Sequence, residues 1–139
     1  MRLILFLICV SHLALAQPVE KAIKLIETKN TSEAKKILGG IKDSDKEYAS
    51  AQFWLGRISY DEKKYDEAES FFEEAIEAND KQPEYHNWYG NTLGAIASDA
   101  NMFKQGMLAP KMKSAWEKSV VLKSDYIEPR QSLIQYYLD

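Results

Sequence analysis

The side chains able to do chemistry are few and scattered. Two histidines and one cysteine occur in 139 residues. His12 and Cys9 both fall in the apolar run at the start of the chain, leaving His86 beside Tyr85 near a helix start. A lone histidine with no cysteine or carboxylate at ligand spacing reads as a surface or half-buried residue rather than a metal ligand. The acidic run Glu67, Glu69, Glu73, Glu74 and Glu77 has helical spacing, which spreads carboxylates over a solvated face and offers no oxygen-rich loop to wrap calcium. No glycine-rich phosphate cradle and no nucleophile–base arrangement is present. The expectation is a non-enzyme with no cofactor, no metal and no catalytic residue, so function must lie in the surface that the architecture presents.

The first sixteen residues stand apart from that architecture. Met1-Arg2 is a short positive region, Leu3 to Val10 is apolar, and Ala14-Leu15-Ala16 has the small-x-small form of a cleavage site. Residues 1–16 read as a signal peptide cut before Gln17, because Ser11 and His12 interrupt the run before it reaches the ~20 residues of a membrane span. Acylation at Cys9 is the competing reading, disfavoured by bulky Ile8 before it. Cleavage would remove Arg2 from the 18 basic side chains, leaving 17 against 21 acidic ones, a net charge of −4 (17 − 21). It would also remove the only cysteine, so the mature chain could form no disulfide, which suits a periplasm, or secretion without crosslinks. Such a charge gives no cationic face for nucleic acid. Asn30-Thr31-Ser32 matches a glycosylation acceptor, but it also reads as a loop in which Thr31 or Ser32 caps the next helix.

From Gln17 onward apolar residues recur at helical spacing, as in Ala34-Leu38-Ile41, and strand patterns are lacking. Helices are expected over about 18–29, 32–41, 46–61, 66–78, 83–98, 108–122 and 126 to the end. Asp66 with Glu69 resembles a capping box, and Pro83 suits a first helical turn. The helices repeat. Ala22, Gly56 and Gly90 are spaced by 34 residues, as are Ala34 and Ala68, Leu38 and Phe72, and Ile41 and Ala75. Agreement in four columns, small and large residues alike, marks a helix pair as the unit.

Leu55, Gly56, Tyr65, Ala68, Phe72 and Ala75, in that order within a 34-residue repeat, resemble the tetratricopeptide repeat. The resemblance implies an all-α, right-handed solenoid of antiparallel helix pairs over 17–139, with repeats at about 17–48, 49–82 and 83–125 and a partial fourth at 126–139. In the third repeat Gly90 is in register, but Trp116 stands in the Phe72 column ten residues late, so an insertion is expected between about Ala97 and Ala109, lengthening helices and adding a link that contains Gly106. Met112 replaces the close-packing alanine, so that pair is expected to splay or shift. Trp54, Tyr89 and Trp116 are expected to pack rather than bind.

In repeats of this kind ligands are met by the first helices, which implies a groove lined by Phe53, Arg57, Tyr60, Asn87, Trp88 and Asn91. Asn87 and Asn91 would pair a peptide's amides, Arg57 would clamp a carboxylate, and Phe53 with Tyr60 would bury an apolar side chain. Arg57 and Asn91 share a column and are expected to project into the groove one repeat apart. The family's carboxylate clamp is not reproduced, since Phe53 stands at its lysine column and Trp88 at a following asparagine column. The expected function is an exported, monomeric, non-catalytic scaffold or adaptor for a protein or extended peptide. The alternative is an accessory module of a longer protein whose activity lies elsewhere.

Overall fold

A computed structural model describes residues 17–138, so the signal-peptide and Cys9 readings lie outside the described residues. The described chain forms α1 (Pro18–Glu27), α2 (Thr31–Gly39), α3 (Tyr48–Asp61), α4 (Tyr65–Ala78), α5 (Pro83–Ser98), α6 (Met102–Leu122) and α7 (Ile127–Leu138). Consecutive helices pack in the order α1–α2, α3–α4 and α5–α6, and α4 and α6 each carry the next pair's first helix. This is the all-α helical repeat expected.

The turn inside each of the first two pairs is built the same way. Lys29 and Lys63, 34 residues apart, have φ of 62° and 61°, in the left-handed region. The amide of Lys29 donates to Ile26 O and that of Asn30 to Leu25 O, while Lys63 donates to Tyr60 O and Lys64 to Ser59 O. These are two complete Schellman closures, which satisfy last-turn carbonyls and normally place glycine where the lysines stand. A non-glycine residue in this conformation costs about 1–2 kcal/mol, partly offset by the lower unfolded-state entropy of any side chain over glycine. Lys63→Gly is therefore expected to raise stability by about 0.5–1 kcal/mol, checked by urea unfolding; a loss of stability would mean that the Lys63 side chain contributes more than its backbone strain costs.

The small residues sit where the pairs approach closest. A Cβ added at Gly56 would lie 2.8 Å from Phe72 Cε1, and one at Gly90 would lie 2.6 Å from Trp116 Nε1. Trp116 thus fills the Phe72 column in space as well as in sequence. Ala34, Ala68 and Ala75 are fully buried, and so is Ser119 in the Ala75 column, its hydroxyl donating to Pro83 O at 2.7 Å. Leu55 lies in the cluster of the first two pairs, and Tyr65 packs against that of the third. Trp54 and Tyr89 pack against the clusters as expected, with the Tyr89 hydroxyl donating to Glu73 at 2.8 Å.

Three local expectations are corrected. The ten extra residues do not form a Gly106-containing link: Gly106 lies inside α6, and the connection is only Asp99–Asn101. Asn101 explains the earlier start, its side chain accepting from the Lys104 amide at 2.9 Å, while Gln105 Nε2 reaches back to Ala97 O and Ala100 O at the end of α5. The insertion lengthens α6, with side chains satisfying both the end of α5 and the start of α6. The Asp66–Glu69 capping box is absent, since α4 begins a residue earlier at Tyr65 with Lys64 as its cap and no side-chain hydrogen bond there. Likewise α2 is preceded by Asn30 without a side-chain cap, so neither Thr31 nor Ser32 plays that part. Met112 finds its room opposite Gly94, where an added Cβ would stand 3.5 Å from the methionine methyl.

Candidate binding surface on the first helices

The six residues expected to line the groove lie on α3 and α5, and the structure divides them. Arg57, Tyr60 and Trp88 come together. The Arg57 guanidinium carbon stands 3.7 Å from the Trp88 ring centre, with Trp54 at 5.6 Å and Phe53 at 6.0 Å. Tyr60 meets Trp88 edge-on at 5.2 Å and Tyr65 at 5.3 Å. Trp88 itself stacks at 6.5 Å on Phe72, so the platform under the arginine is fixed to the core. A cation over an indole face is attracted by the ring quadrupole, more strongly when water is excluded.

Burial pushes the Arg57 pKa down from its ordinary value, against the opposing effect of Asp61 one turn on. A guanidinium stays charged regardless, so the shift reports an incompletely compensated cation rather than a titration. Its Nε is buried with no hydrogen-bond partner. Burial likewise pushes up the Tyr60 phenol, which Tyr65 and Asp61 reinforce.

Phe53 belongs to the packing instead, and Asn91, half-buried, has its oxygen engaged by a neighbouring helix. Phe53 is 7% exposed, stacked at 4.8 Å on Tyr85 and tilted against Phe72 at 5.9 Å, which makes it a core residue between neighbouring pairs and not a lining residue. Asn91 Oδ1 accepts from Trp116 Nε1 at 2.9 Å, tying α5 to α6. The shared column with Arg57 is real in sequence, but the two side chains meet different neighbours: the larger Trp116 brings a ring nitrogen that the Phe72 column lacks.

Asn87 is 2% exposed, its Nδ2 donating to the Tyr126 hydroxyl at 3.2 Å while Oδ1 lacks a partner. Tyr126 is the neighbour that the sequence did not reveal. It stands between α6 and α7, and its phenol and Arg57 act on each other's ionisation. Its place just before the fourth first helix was legible; its reach back to α5 was not.

A second depression lies between the ends of α5, α6 and α7. This cleft of about 820 Å³ has Met112, Trp116 and Tyr136 among its apolar walls and Gln131, Ser132 and Gln135 among its polar ones, with no charged lining residue. His86 is buried, its Nε2 2.7 Å from Asp80 O, so it anchors the loop before α5. Among the described residues no group of His, Cys, Asp and Glu is placed to hold a metal, and no helix is long and apolar enough to cross a membrane.

Comparison with known families and proteins agrees with this geometry where it speaks. Residues 25–90 match the family described as Tetratricopeptide repeat, a stretch running from the end of α1 to the glycine on which Trp116 rests. The comparison with curated proteins gives no match. With the 34-residue columns, the paired Schellman turns and the glycine–ring contacts all in the same register, the chain belongs over this stretch to the tetratricopeptide-repeat family.

Proposed function

We propose that this chain is an exported, monomeric scaffold or adaptor that binds a protein or an extended peptide along a concave face formed by its first helices, without catalysis. Repeats of this family generally mediate protein–protein interaction. The observation that carries the finer reading is the Arg57–Trp88–Tyr60 cluster, a polar head on an aromatic platform anchored to the core. A preformed platform lowers the ordering cost of binding, and arginine with tryptophan and tyrosine are the side chains that dominate interface energetics. Export rests on the leader, so the mature protein should start at Gln17 and be recovered outside the cytoplasm, read by intact mass.

A photo-reactive phenylalanine at Asp61, exposed one turn from Arg57, tests the binding face against the same residue at Glu77, exposed on α4. Covalent capture of a partner from Asp61 and not from Glu77 is the expected result. Capture from Glu77 alone would move the functional surface to the second helices.

A further inference from the structure

α6 has two faces of different kinds. One is packed against α5 and α7, where Leu108, Ala115, Trp116 and Ser119 are buried. The other is turned outward, yet it lacks the polar character of an ordinary solvent face: Met102, Phe103, Met107 and Val121 are between 59% and 87% exposed. At about 100° per residue, Phe103, Met107, Pro110, Ser114, Glu117 and Val121 fall in one strip along the helix, stepping by four and three residues in turn. That is the spacing of a coiled-coil seam, and it is most apolar at its N-terminal end. Lys104, Lys111 and Lys118 accompany the seam at intervals of seven residues, all on one flank and all exposed. These are the least committed of the helix's cations. Lys113, on the other flank, donates to Glu117 at 2.7 Å and lies 5.9 Å from the Tyr137 ring centre. Lys118 comes only to 4.0 Å of Asp80, and Lys104 and Lys111 act on Glu69 through space without an ion pair to a described residue. With four lysines against one glutamate, α6 is a cationic helix in a chain of net charge −3.

We propose that the outer face of α6 is a second docking surface, separate from the concave one, for an acidic amphipathic helix of another protein. The partner's apolar seam covers Phe103, Met107 and Val121, and its carboxylates meet Lys104, Lys111 and Lys118. A helix fits better than an extended strand, because cations one heptad apart, about 10 Å along the axis, match carboxylates that recur every two turns. A helix also fits better than a membrane surface. α4 borders the same cleft as Lys111 and Lys118 and exposes Glu67, Glu73, Glu74 and Glu77, which a flat anionic bilayer would meet together with the lysines. Ser114 and Glu117 interrupt the seam, so the apolar contact is short and centred on Met107, whose flexible side chain adapts to its neighbour. The flanking charges therefore decide which helix is accepted, and the contact is sensitive to salt.

The probe is a labelled synthetic helix of three heptads with leucine along its seam and glutamate on both flanks, titrated with the purified protein by fluorescence anisotropy; like charges keep such a peptide from pairing with itself. Its twin with lysine on both flanks is the comparison. The glutamate peptide is expected to bind about tenfold more tightly than the lysine peptide, and to lose about fivefold in affinity when salt is raised several-fold. Lys111→Glu and Phe103→Ser should each weaken it about fivefold, whereas Lys21→Glu, the same change of charge on the exposed side of α1, should leave it unchanged. The difference between the two peptides on the unaltered protein stands as evidence even if a variant folds poorly. Failure of the glutamate peptide to bind, equal binding of both peptides, or binding that Lys111→Glu leaves intact would overturn the proposal. So would flotation of the protein with phosphatidylglycerol vesicles that the glutamate peptide does not prevent, since the occupant would then be a bilayer. A dimer in sedimentation that Lys111→Glu dissolves would overturn it as well, by making the acidic α4 of a second copy the occupant. None of these outcomes bears on the concave face, which is tested from Asp61.

Discussion

Gly56→Leu is expected to lower the unfolding free energy by about 3 kcal/mol, at the upper end of what overpacking a close contact usually costs. The first added carbon already lies 2.8 Å from Phe72 Cε1 and 3.0 Å from two other ring atoms. A flexible neighbour could yield, but Phe72 is fully buried and held between Phe53 and Trp88, so α3 and α4 must part instead. Helix propensity works the other way, since glycine inside a helix costs about 1 kcal/mol relative to alanine. Gly106 supplies the control: an added Cβ meets nothing within 4 Å, so Gly106→Ala should gain about 0.5–1 kcal/mol from propensity alone. Urea unfolding of the two variants should therefore move in opposite directions. Equal shifts would mean that Gly56 is not the point of closest approach and that the register built on it is wrong.

Much of the architecture was legible because the repeat makes small and large residues answer each other at a fixed distance. The shared columns of Gly56 with Gly90, and of Phe72 with Trp116, could be read from spacing alone, even across an insertion; that each glycine faces the ring of its own pair is what the structure adds. The insertion was legible as added helix length, but not the absence of a link at Gly106. Gly106 reads as a breaker, yet the Asn101 cap and the Gln105 side chain satisfy the backbone ends around it, and an exposed glycine costs too little to stop a helix so supported. The candidate surface was half legible for a related reason. A column assigns a direction, but the neighbour's size decides what a side chain meets: Tyr85 covers Phe53, and Trp116 brings a donor to Asn91, whereas Arg57 lies over the face of Trp88 and Tyr60 meets that ring edge-on. The contact between Tyr126 and Asn87 spans 39 residues and follows from how α7 docks, which no local pattern encodes.

Trp116→Ala is expected to cost about 3–5 kcal/mol, the range for emptying a large aromatic site in a core, and to do so unevenly along the chain. The ring is 6% exposed, seated on Gly90, bonded through Nε1 to Asn91 and in edge contact with Tyr136 of α7 at 6.5 Å. It therefore joins three helices, α5, α6 and α7. Removing it opens a void against a glycine, where no side chain can move in, and leaves the Asn91 carbonyl without its donor. The cores of the first two pairs are built without α6: one comprises Val19, Ala22, Ala34, Leu38, Ala51, Leu55 and Ile58, the other Phe53, Ala68, Phe72, Ala75 and Tyr85. In a stacked repeat each unit is stabilised chiefly by its neighbours, so damage should stay near the end where it is made. Hydrogen exchange should show protection lost in α6 and α7, reduced in α5, and close to that of the unaltered protein in α1 to α4. Trp116→Phe, which keeps most of the ring contact and gives up the hydrogen bond, should cost about 1 kcal/mol and leave α7 docked. Uniform loss of protection over all seven helices would instead make the described chain one cooperative unit, with Trp116 supporting the whole stack.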